Sequence, residues 1–161
     1  MDRFPGKYAA IVIDNADPKN IARLKLQVPE VLRDETTGWC VPCSPYAGPG
    51  VGLVTVPPLG SVVFVEWPGG DPTRIGIWSG GLWTDGGGVE GAGPDVIVLV
   101  TPAGHRIEVR DTSGSEAIEL TAASGAKVTM DQSGLVLSFG GQKIAMTDAS
   151  VSINDGALTV S

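Results

Sequence analysis

Apolar residues follow a period of two along almost the whole chain. They alternate with polar residues, or form short β-branched blocks, between glycines and prolines. This is the pattern of short strands and predicts an all-β fold, with one short helical turn at residues 18–24 as its single helical feature. In the first 80 residues we predict five or six strands, at Tyr8–Asp14 and at residues 24–29, 39–43, 52–56, 61–67 and 74–79. Closure into a small antiparallel barrel would leave such strands with no exposed edge.

The amino-acid composition changes at residues 85–95. This stretch carries five glycines, one proline and three acidic residues, which is typical of a linker. The charge also divides unevenly here: residues 1–84 hold 7 basic and 8 acidic residues, whereas residues 85–161 hold 4 basic and 10 acidic residues. We therefore predict a barrel domain at 1–84, a linker at 85–95 and a second domain at 96–161.

The second domain is built from a repeat. Apolar pairs two residues apart recur every 7 to 11 residues, with a glycine in most of the intervening turns. Such units, a strand with one apolar face followed by a turn, are typical of a β-solenoid or β-prism. The pairs are Ile107/Val109, Ile118/Leu120, Val128/Met130, Leu135/Leu137, Ile144/Met146, Val151/Ile153 and Leu158/Val160.

Two arrangements could bury these narrow apolar faces. A single-chain β-helix needs roughly 18–25 residues per coil, so this domain would supply only about three uncapped coils. Several chains could instead share one prism, because closed symmetry gives each face a partner. We favour the second arrangement, a homotrimeric β-helix or β-prism stalk, and predict that the fourteen residues of the apolar pairs form its core.

The net charge and the distribution of apolar residues argue against several classes of function. The net charge is −7, which argues against a protein that binds nucleic-acid phosphates through a basic surface. No window of 18 apolar residues is present, and the first residues lack the pattern of a signal peptide. From this we expect synthesis in the cytoplasm and no stable membrane anchoring.

Candidate catalytic and metal-binding residues are few. Cys40 and Cys43 form a CxxC motif, but on a strand their odd spacing points them to opposite faces, so we interpret them as packing residues. His105, the single histidine, stands beside Arg106 and Glu108 without a candidate nucleophile, and we interpret it as a turn or inter-chain hydrogen-bonding residue. We predict no catalytic residue, no cofactor site and no metal site.

Three further groups have structural interpretations. The four tryptophans could stack on bases or sugars, but core and interface packing is the simpler reading. Asp14 and Asp17 fit a turn better than a calcium loop, which would need a glycine and a glutamate at set positions. The acidic residues of the second domain are expected to form its solvated exterior. They are Glu108, Asp111, Glu116, Glu119 and Asp131.

A set of segments forms a pattern in order along the chain. The longest are residues 6–18 (GKYAAIVIDNADP), 22–29 (ARLKLQVP) and 57–66 (PPLGSVVFVE). Shorter ones are 38–43 (GWCVPC), 45–52 (PYAGPGVG), 70–72 (GDP), 77–80 (IWSG) and 101–108 (TPAGHRIE). As a set, these segments resemble the baseplate assembly protein V and valine-glycine-repeat spike proteins of contractile phage tails and injection systems. The resemblance implies an OB-fold barrel followed by a trimeric β-helical needle.

The same resemblance implies a function. It indicates a non-enzymatic central spike that docks on the tail tube or baseplate through its OB end and pierces the target envelope when the sheath contracts. The expected partners are two further copies of the chain, a tube or hub protein, and a separate PAAR-type tip protein. We expect the tip protein to dock on Leu158, Thr159, Val160 and Ser161, where the repeat ends on an apolar pair.

Two other functions are compatible with an OB barrel and a repetitive stalk. One is an oligomeric module that binds oligosaccharides or single-stranded nucleic acid. The other is a small tail-spike depolymerase, since a fold alone does not fix a function.

Overall fold

The computed structural model describes residues 2–160, and the chain divides into two compact units between Gly86 and Gly87. Each unit is almost entirely β-structure. Among the described residues, no helix has the length and apolar character needed to cross a bilayer.

The first unit is a curled, OB-like sheet of five strands. Its order is β2-β1-β6-β7-β3, antiparallel except that β3 runs parallel to β7. A separate two-stranded hairpin, β4–β5, lies in the loop after β3. The strands are β1 (Tyr8–Asp14), β2 (Lys25–Gln27), β3 (Val41–Pro42), β4 (Ala47–Gly48), β5 (Val51–Gly52), β6 (Val62–Glu66) and β7 (Ile77–Leu82).

The five-stranded sheet closes on itself, as the edge-strand argument predicts. Leu24, just before β2, forms an antiparallel bridge with Cys40, just before β3, so the two ends of the sheet meet. Backbone hydrogen bonds of 3.0 Å and 2.8 Å join these two residues in both directions. The closed sheet surrounds one hydrophobic core, formed by Ala10, Val12, Leu24, Leu26, Val28, Cys40, Val63, Val65, Trp67 and Trp78.

Two local expectations for this unit are wrong. The short helix is α1 (Pro29–Leu32), with proline in its first turn, whereas residues 18–21 form a turn and a bend. The helix starts where proline supplies a fixed φ and needs no hydrogen-bond partner for its nitrogen. Residues 53–56 lie in the loop after β5 and form no strand, and their apolar side chains face solvent.

The second unit is an eight-stranded antiparallel meander. Every strand pairs with the strands before and after it in sequence, and the order runs from β15 to β8 without a crossover. The strands are β8 (Val96–Val100), β9 (Arg106–Arg110), β10 (Ala117–Thr121), β11 (Lys127–Asp131), β12 (Gly134–Phe139), β13 (Gln142–Met146), β14 (Val151–Ile153) and β15 (Leu158–Val160). One chain therefore contributes a sheet to the stalk, and it does not coil around itself as a single-chain β-helix would.

Candidate assembly interface

One face of the second sheet carries two unbroken apolar ladders. Because side chains alternate between faces, the two apolar residues of each strand project from the same side. The pairing register places each of them beside its counterparts on the neighbouring strands. The first ladder is Ile97, Val109, Ile118, Met130, Leu135, Met146 and Val151, and the second is Leu99, Ile107, Leu120, Val128, Leu137, Ile144, Ile153 and Leu158. On β15 the register places Val160 opposite Val151, at the eighth position of the first ladder.

This face is not covered within one chain. Ile97 is 72% exposed and Leu158 55%, and even Leu120 in the middle of the sheet remains 42% exposed. By contrast, the core residues of the first unit are at most 8% exposed. A continuous apolar surface of this kind marks a site of protein association.

The opposite face of the sheet is polar and centres on Glu108. This carboxylate is only 6% exposed and lies between two arginines of its own strand. Arg106 Nε donates to Glu108 Oε2 at 2.7 Å, and Arg110 Nη2 donates to Oε1 at 2.6 Å. Hydrogen bonding to Arg106, then to Arg110, lowers the pKa of Glu108. The expectation that this residue is part of a solvated exterior is wrong, because the arginines cover it.

Glu119 extends the charged network along the outer face. It lies opposite Glu108 in the register, and its carboxylate receives the Lys127 ammonium at 2.8 Å and the Arg110 guanidinium at 3.9 Å. The basic side chains therefore separate two carboxylates that would otherwise repel each other across the strands.

His105 has a turn role. Its imidazole Nδ1 accepts a hydrogen bond of 3.2 Å from the Ala123 N–H, and its own N–H donates to Thr101 Oγ1 at 3.1 Å. These contacts tie the β8–β9 turn to the β10–β11 turn at one edge of the sheet. They are hydrogen bonds of the kind that order a turn, in line with the interpretation from the sequence.

The two cysteines occupy different environments. Cys40 is buried in the core of the first unit and Cys43 is exposed, and both are free thiols. Burial raises the pKa of the Cys40 thiol, which keeps it protonated and unreactive. Within residues 2–160, no group of three or more His, Cys, Asp or Glu side chains is placed to hold a metal ion.

The four tryptophans do not form one platform. Trp67 and Trp78 are buried in the barrel core, and the Trp78 indole donates to the Ala22 carbonyl at 2.9 Å. Trp39 lies under two cations, with Arg23 and Lys25 at 5.3 Å and 4.7 Å from its ring centroid. Trp83 is 76% exposed. Packing therefore accounts for two of the four and cation–π contacts for a third.

Asp17 organises the turn after β1. It is buried, and its carboxylate accepts hydrogen bonds from the Arg23 guanidinium and from the backbone N–H groups of Lys19, Ile21 and Arg23. The Arg23 side chain is the main cause that holds the pKa of Asp17 far below its usual range. These contacts form a hydrogen-bonded turn, as the sequence indicated.

The loop after β3 gives the first unit its own exposed apolar surface. Tyr46, Val51, Leu53, Val54 and Leu59 are each more than half exposed. The loop borders a groove of about 800 Å³ between the β4–β5 hairpin and the end of β7. We call these five residues the loop patch. None of these five residues was predicted to be functional, and Leu53 and Val54 belong to the strand expected at residues 52–56.

Comparison with protein families assigns both units. A family model described as the type VI secretion system/phage-baseplate injector OB domain matches residues 8–83. A second, described as the phage baseplate V C-terminal trimerisation domain, matches residues 96–159. The chain belongs to the phage baseplate V family. No curated protein matches it.

Membership of the baseplate V family determines the broad character of the protein. The chain is a baseplate spike protein, and its place is in an assembled phage tail or injection particle. Its first unit is the injector OB domain and its second is the trimerisation domain, so the chain forms a homotrimer. The prediction of a spike protein with an OB barrel and a trimeric β-stalk is confirmed.

The structure adds one strand to the predicted stalk. Ile97 and Leu99 on β8 start the two ladders and are not among the predicted apolar pairs. Residues 96–100 read VIVLV, an unbroken apolar run, so the alternation that revealed the other strands is absent. The spacing of Ile97 and Leu99, two residues apart as in every other pair, is the signal that could have found them. Ser161, one of the predicted tip-docking residues, lies outside the described residues.

Proposed function

We propose that three copies of this chain form the central spike of a contractile tail or injection particle, which pierces the target envelope when the sheath contracts. The second units form the needle, with the two apolar ladders of each chain facing the three-fold axis. The first units form a collar that docks on the tube or baseplate. The energy for piercing comes from the sheath, and the spike supplies only a stiff, narrow tip, so no catalytic residue is required.

The single observation that supports this best is the continuity of the ladders. Each has eight positions in register over eight strands, and neighbouring strands lie about 4.8 Å apart. Three such faces turned inward bury one apolar column of constant width along the axis. Every strand then hydrogen-bonds along the direction of the load, which suits a rod that is pushed from one end.

The loop patch is the proposed contact between the collar and the tube or baseplate. Its residues are exposed on a small hairpin and an extended segment, and Val54 reaches 70% exposure. Apolar side chains displayed on a loop of a rigid barrel are suited to docking on another protein. Substitution of Val54 by aspartate should prevent incorporation into particles and leave the trimer intact.

We also propose that a PAAR-type tip protein docks on β15. Among residues 2–160 this strand pairs with β14 alone, and an edge strand of this kind can hydrogen-bond to a partner protein. Leu158 is exposed and continues the second ladder up to that edge. Deletion of residues 155–161 should spare the trimer, because seven strands keep their ladders, and should abolish capture of the tip protein in a pull-down.

A matched pair of variants on one strand tests the needle. Ile144 lies in the second ladder, whereas its neighbour Ala145 projects from the opposite face between Val136 and Ser152. Ile144→Glu should abolish the trimer, seen by light scattering as loss of a species of about 49 kDa, three times 16.5 kDa. Ala145→Glu should retain it.

The piercing role needs assembled particles. Electron microscopy of particles labelled on this chain should place it at the distal end of the tube. Particles that carry Ile144→Glu should lose injection or killing, and those that carry Ala145→Glu should keep it. Label along the tube or sheath, or full activity of Ile144→Glu particles, would show that the chain is not the piercing element.

A further inference from the structure

The trimerisation domain has a charge pattern that its apolar ladders do not explain. Three alternate strands each have a basic residue at or near the start and an acidic residue at or just after the end. They are β9 with Arg106 and Asp111, β11 with Lys127 and Asp131, and β13 with Lys143 and Asp148. Residues 85–161 contain four basic residues, and three of them thus lie at or near the start of one of these strands.

The meander sorts these charges to two edges of the sheet. Because β9, β11 and β13 run in the same direction, their starts lie along one edge and their ends along the other. We call the line formed by their starts the basic edge and the line formed by their ends the acidic edge. Both lines run across the ends of the strands and are distinct from the outer strands β8 and β15. Asp95 and Glu116 also lie at the acidic edge, beside the start of β8 and of β10, and Arg110 is the one basic residue there.

The two charges of one strand are too far apart to pair within a chain. Lys127 and Asp131 are the two ends of a five-residue extended strand, so four steps of the chain, about 13 Å, separate them. In one chain Lys127 binds Glu119, and among the described residues the hydrogen bond to Asp131 Oδ1 comes from the Ser133 N–H, at 2.7 Å. Arg106 pairs with Glu108, and Lys143 pairs with Asp155 at 2.9 Å. The basic side chains are 26–42% exposed and have further donors to offer.

Three-fold symmetry brings the two kinds of edge together. A closed trimer of identical chains has head-to-tail interfaces, so each contact joins one edge of a sheet to the opposite edge of the next. With the apolar faces turned to the axis, each of the three corners of the prism joins a basic edge to an acidic edge. Rotation about the three-fold axis leaves the position of each residue along that axis unchanged. If the strands are perpendicular to the axis, each strand therefore meets the copy of itself in the neighbouring chain.

We propose that the corners of the trimer are closed by ion pairs between the two ends of the same strand in neighbouring chains. Arg106 faces Asp111 of the next copy, Lys127 faces Asp131 and Lys143 faces Asp148. The ladders are apolar on every strand and do not distinguish one height from another. The charges do, because only in the unshifted trimer does each of the three basic residues face an acidic residue, so they favour the closed trimer over a shifted, open assembly.

A double-mutant cycle on the full-length trimer tests the central pair. Lys127→Glu and Asp131→Lys each place like charges at every corner, and each should lower the melting temperature of the trimer by about 2–6 °C at low salt. The double variant restores opposite charges and should recover most of the loss, although the contact of Lys127 with Glu119 stays broken. Because the two positions are about 13 Å apart in one chain, this recovery must come from another chain.

The matched control uses the same two kinds of charge reversal but places one of them on a different strand. Lys127→Glu combined with Asp111→Lys also leaves the net charge unchanged, but the two changed residues lie on different strands, β11 and β9. In the proposed trimer they do not face each other. This double variant should show no recovery. Additive losses for Lys127→Glu and Asp131→Lys, or equal recovery in the control pair, would overturn the proposal.

Chemical cross-linking gives a readout that does not depend on stability. In a Cys43→Ser background, which removes the exposed native thiol, Lys127→Cys with Asp131→Cys should give a covalent trimer with a short bismaleimide. Lys127→Cys with Asp111→Cys should give mainly monomer on a denaturing gel. Cross-linking of the second pair, or of neither pair in an intact trimer, would show that the corners are joined differently.

Discussion

Gly76 occupies a position in the barrel core where no side chain fits. A Cβ built on it would lie 2.6 Å from Cys40 Sγ and 3.2 Å from both Trp67 Nε1 and Val65 Cγ2. These neighbours are buried and packed, so they cannot move aside cheaply. Gly76→Ala should therefore destabilise the first unit by about 1–3 kcal/mol, measured by denaturant unfolding followed through tryptophan fluorescence.

The control and the rescue for Gly76 lie nearby. Gly81, on β7, would place its Cβ 3.7 Å from the nearest atom, so Gly81→Ala should be close to neutral. Cys40→Ala removes the sulfur atom that a Cβ at residue 76 would strike, so Gly76→Ala should cost less in that background than in the wild type. Equal costs in both backgrounds would show that the clash with sulfur is not the cause.

Glu108 makes the stability of the trimerisation domain depend on pH. Its pKa in the folded state is lowered by Arg106 and Arg110, so it contributes stability above the ordinary glutamate pKa of about 4.3. That contribution is lost as the pH falls through the lowered folded pKa. Glu108→Gln should be less stable than the wild type at pH 7, by about 1–3 kcal/mol, because two arginines lose a charged acceptor.

The difference in melting temperature between wild type and Glu108→Gln is the quantity to follow. It should be constant above about pH 5 and shrink towards pH 3, as the wild-type carboxylate takes up a proton. Asp85→Asn, in the exposed linker, should track the wild type over the same range. A difference that stays constant down to pH 3 would contradict the role of the carboxylate charge.

At the level of single elements, the β12–β13 hairpin requires a glycine at position 134. It has φ of +133°, and a Cβ on it would lie 2.0 Å from the Met146 carbonyl oxygen, which belongs to the backbone. Gly134→Ala should therefore separate the two strands at this end and destabilise the trimerisation domain by roughly 1–3 kcal/mol or more. Gly141, at the other end of the same hairpin, has open space around it, and Gly141→Ala should be close to neutral in thermal unfolding.

Elements were predictable where one physical signal dominated. The first strand was predicted with its observed bounds, because YAAIVID is a short apolar block with a glycine before it and a turn after it. The ladders could be predicted because one face must remain apolar on every strand. A strand was predicted at residues 52–56, but residues 53–56 form an exposed loop, since an apolar loop and a strand can have the same residues. The burial of Glu108 could not be predicted, because it depends on two arginines of the same strand folding over the carboxylate.

The whole molecule combines two units with different sources of stability. The first unit has a closed sheet and its own core, so its folding should not require a partner. The second unit leaves its apolar ladders exposed in one chain, so its folding should require the trimer. Two thermal transitions are therefore expected in calorimetry of the full-length protein.

These transitions should respond differently to protein concentration. The transition of the trimerisation domain should move to higher temperature as the protein is concentrated, because unfolding is coupled to dissociation of three chains. The OB-domain transition should stay in place, and tryptophan fluorescence can identify it because all four tryptophans lie in the first 83 residues. Ile144→Glu should remove the concentration-dependent transition and leave the other. A single transition that shifts as a whole would show that the OB domain also depends on its neighbours in the trimer.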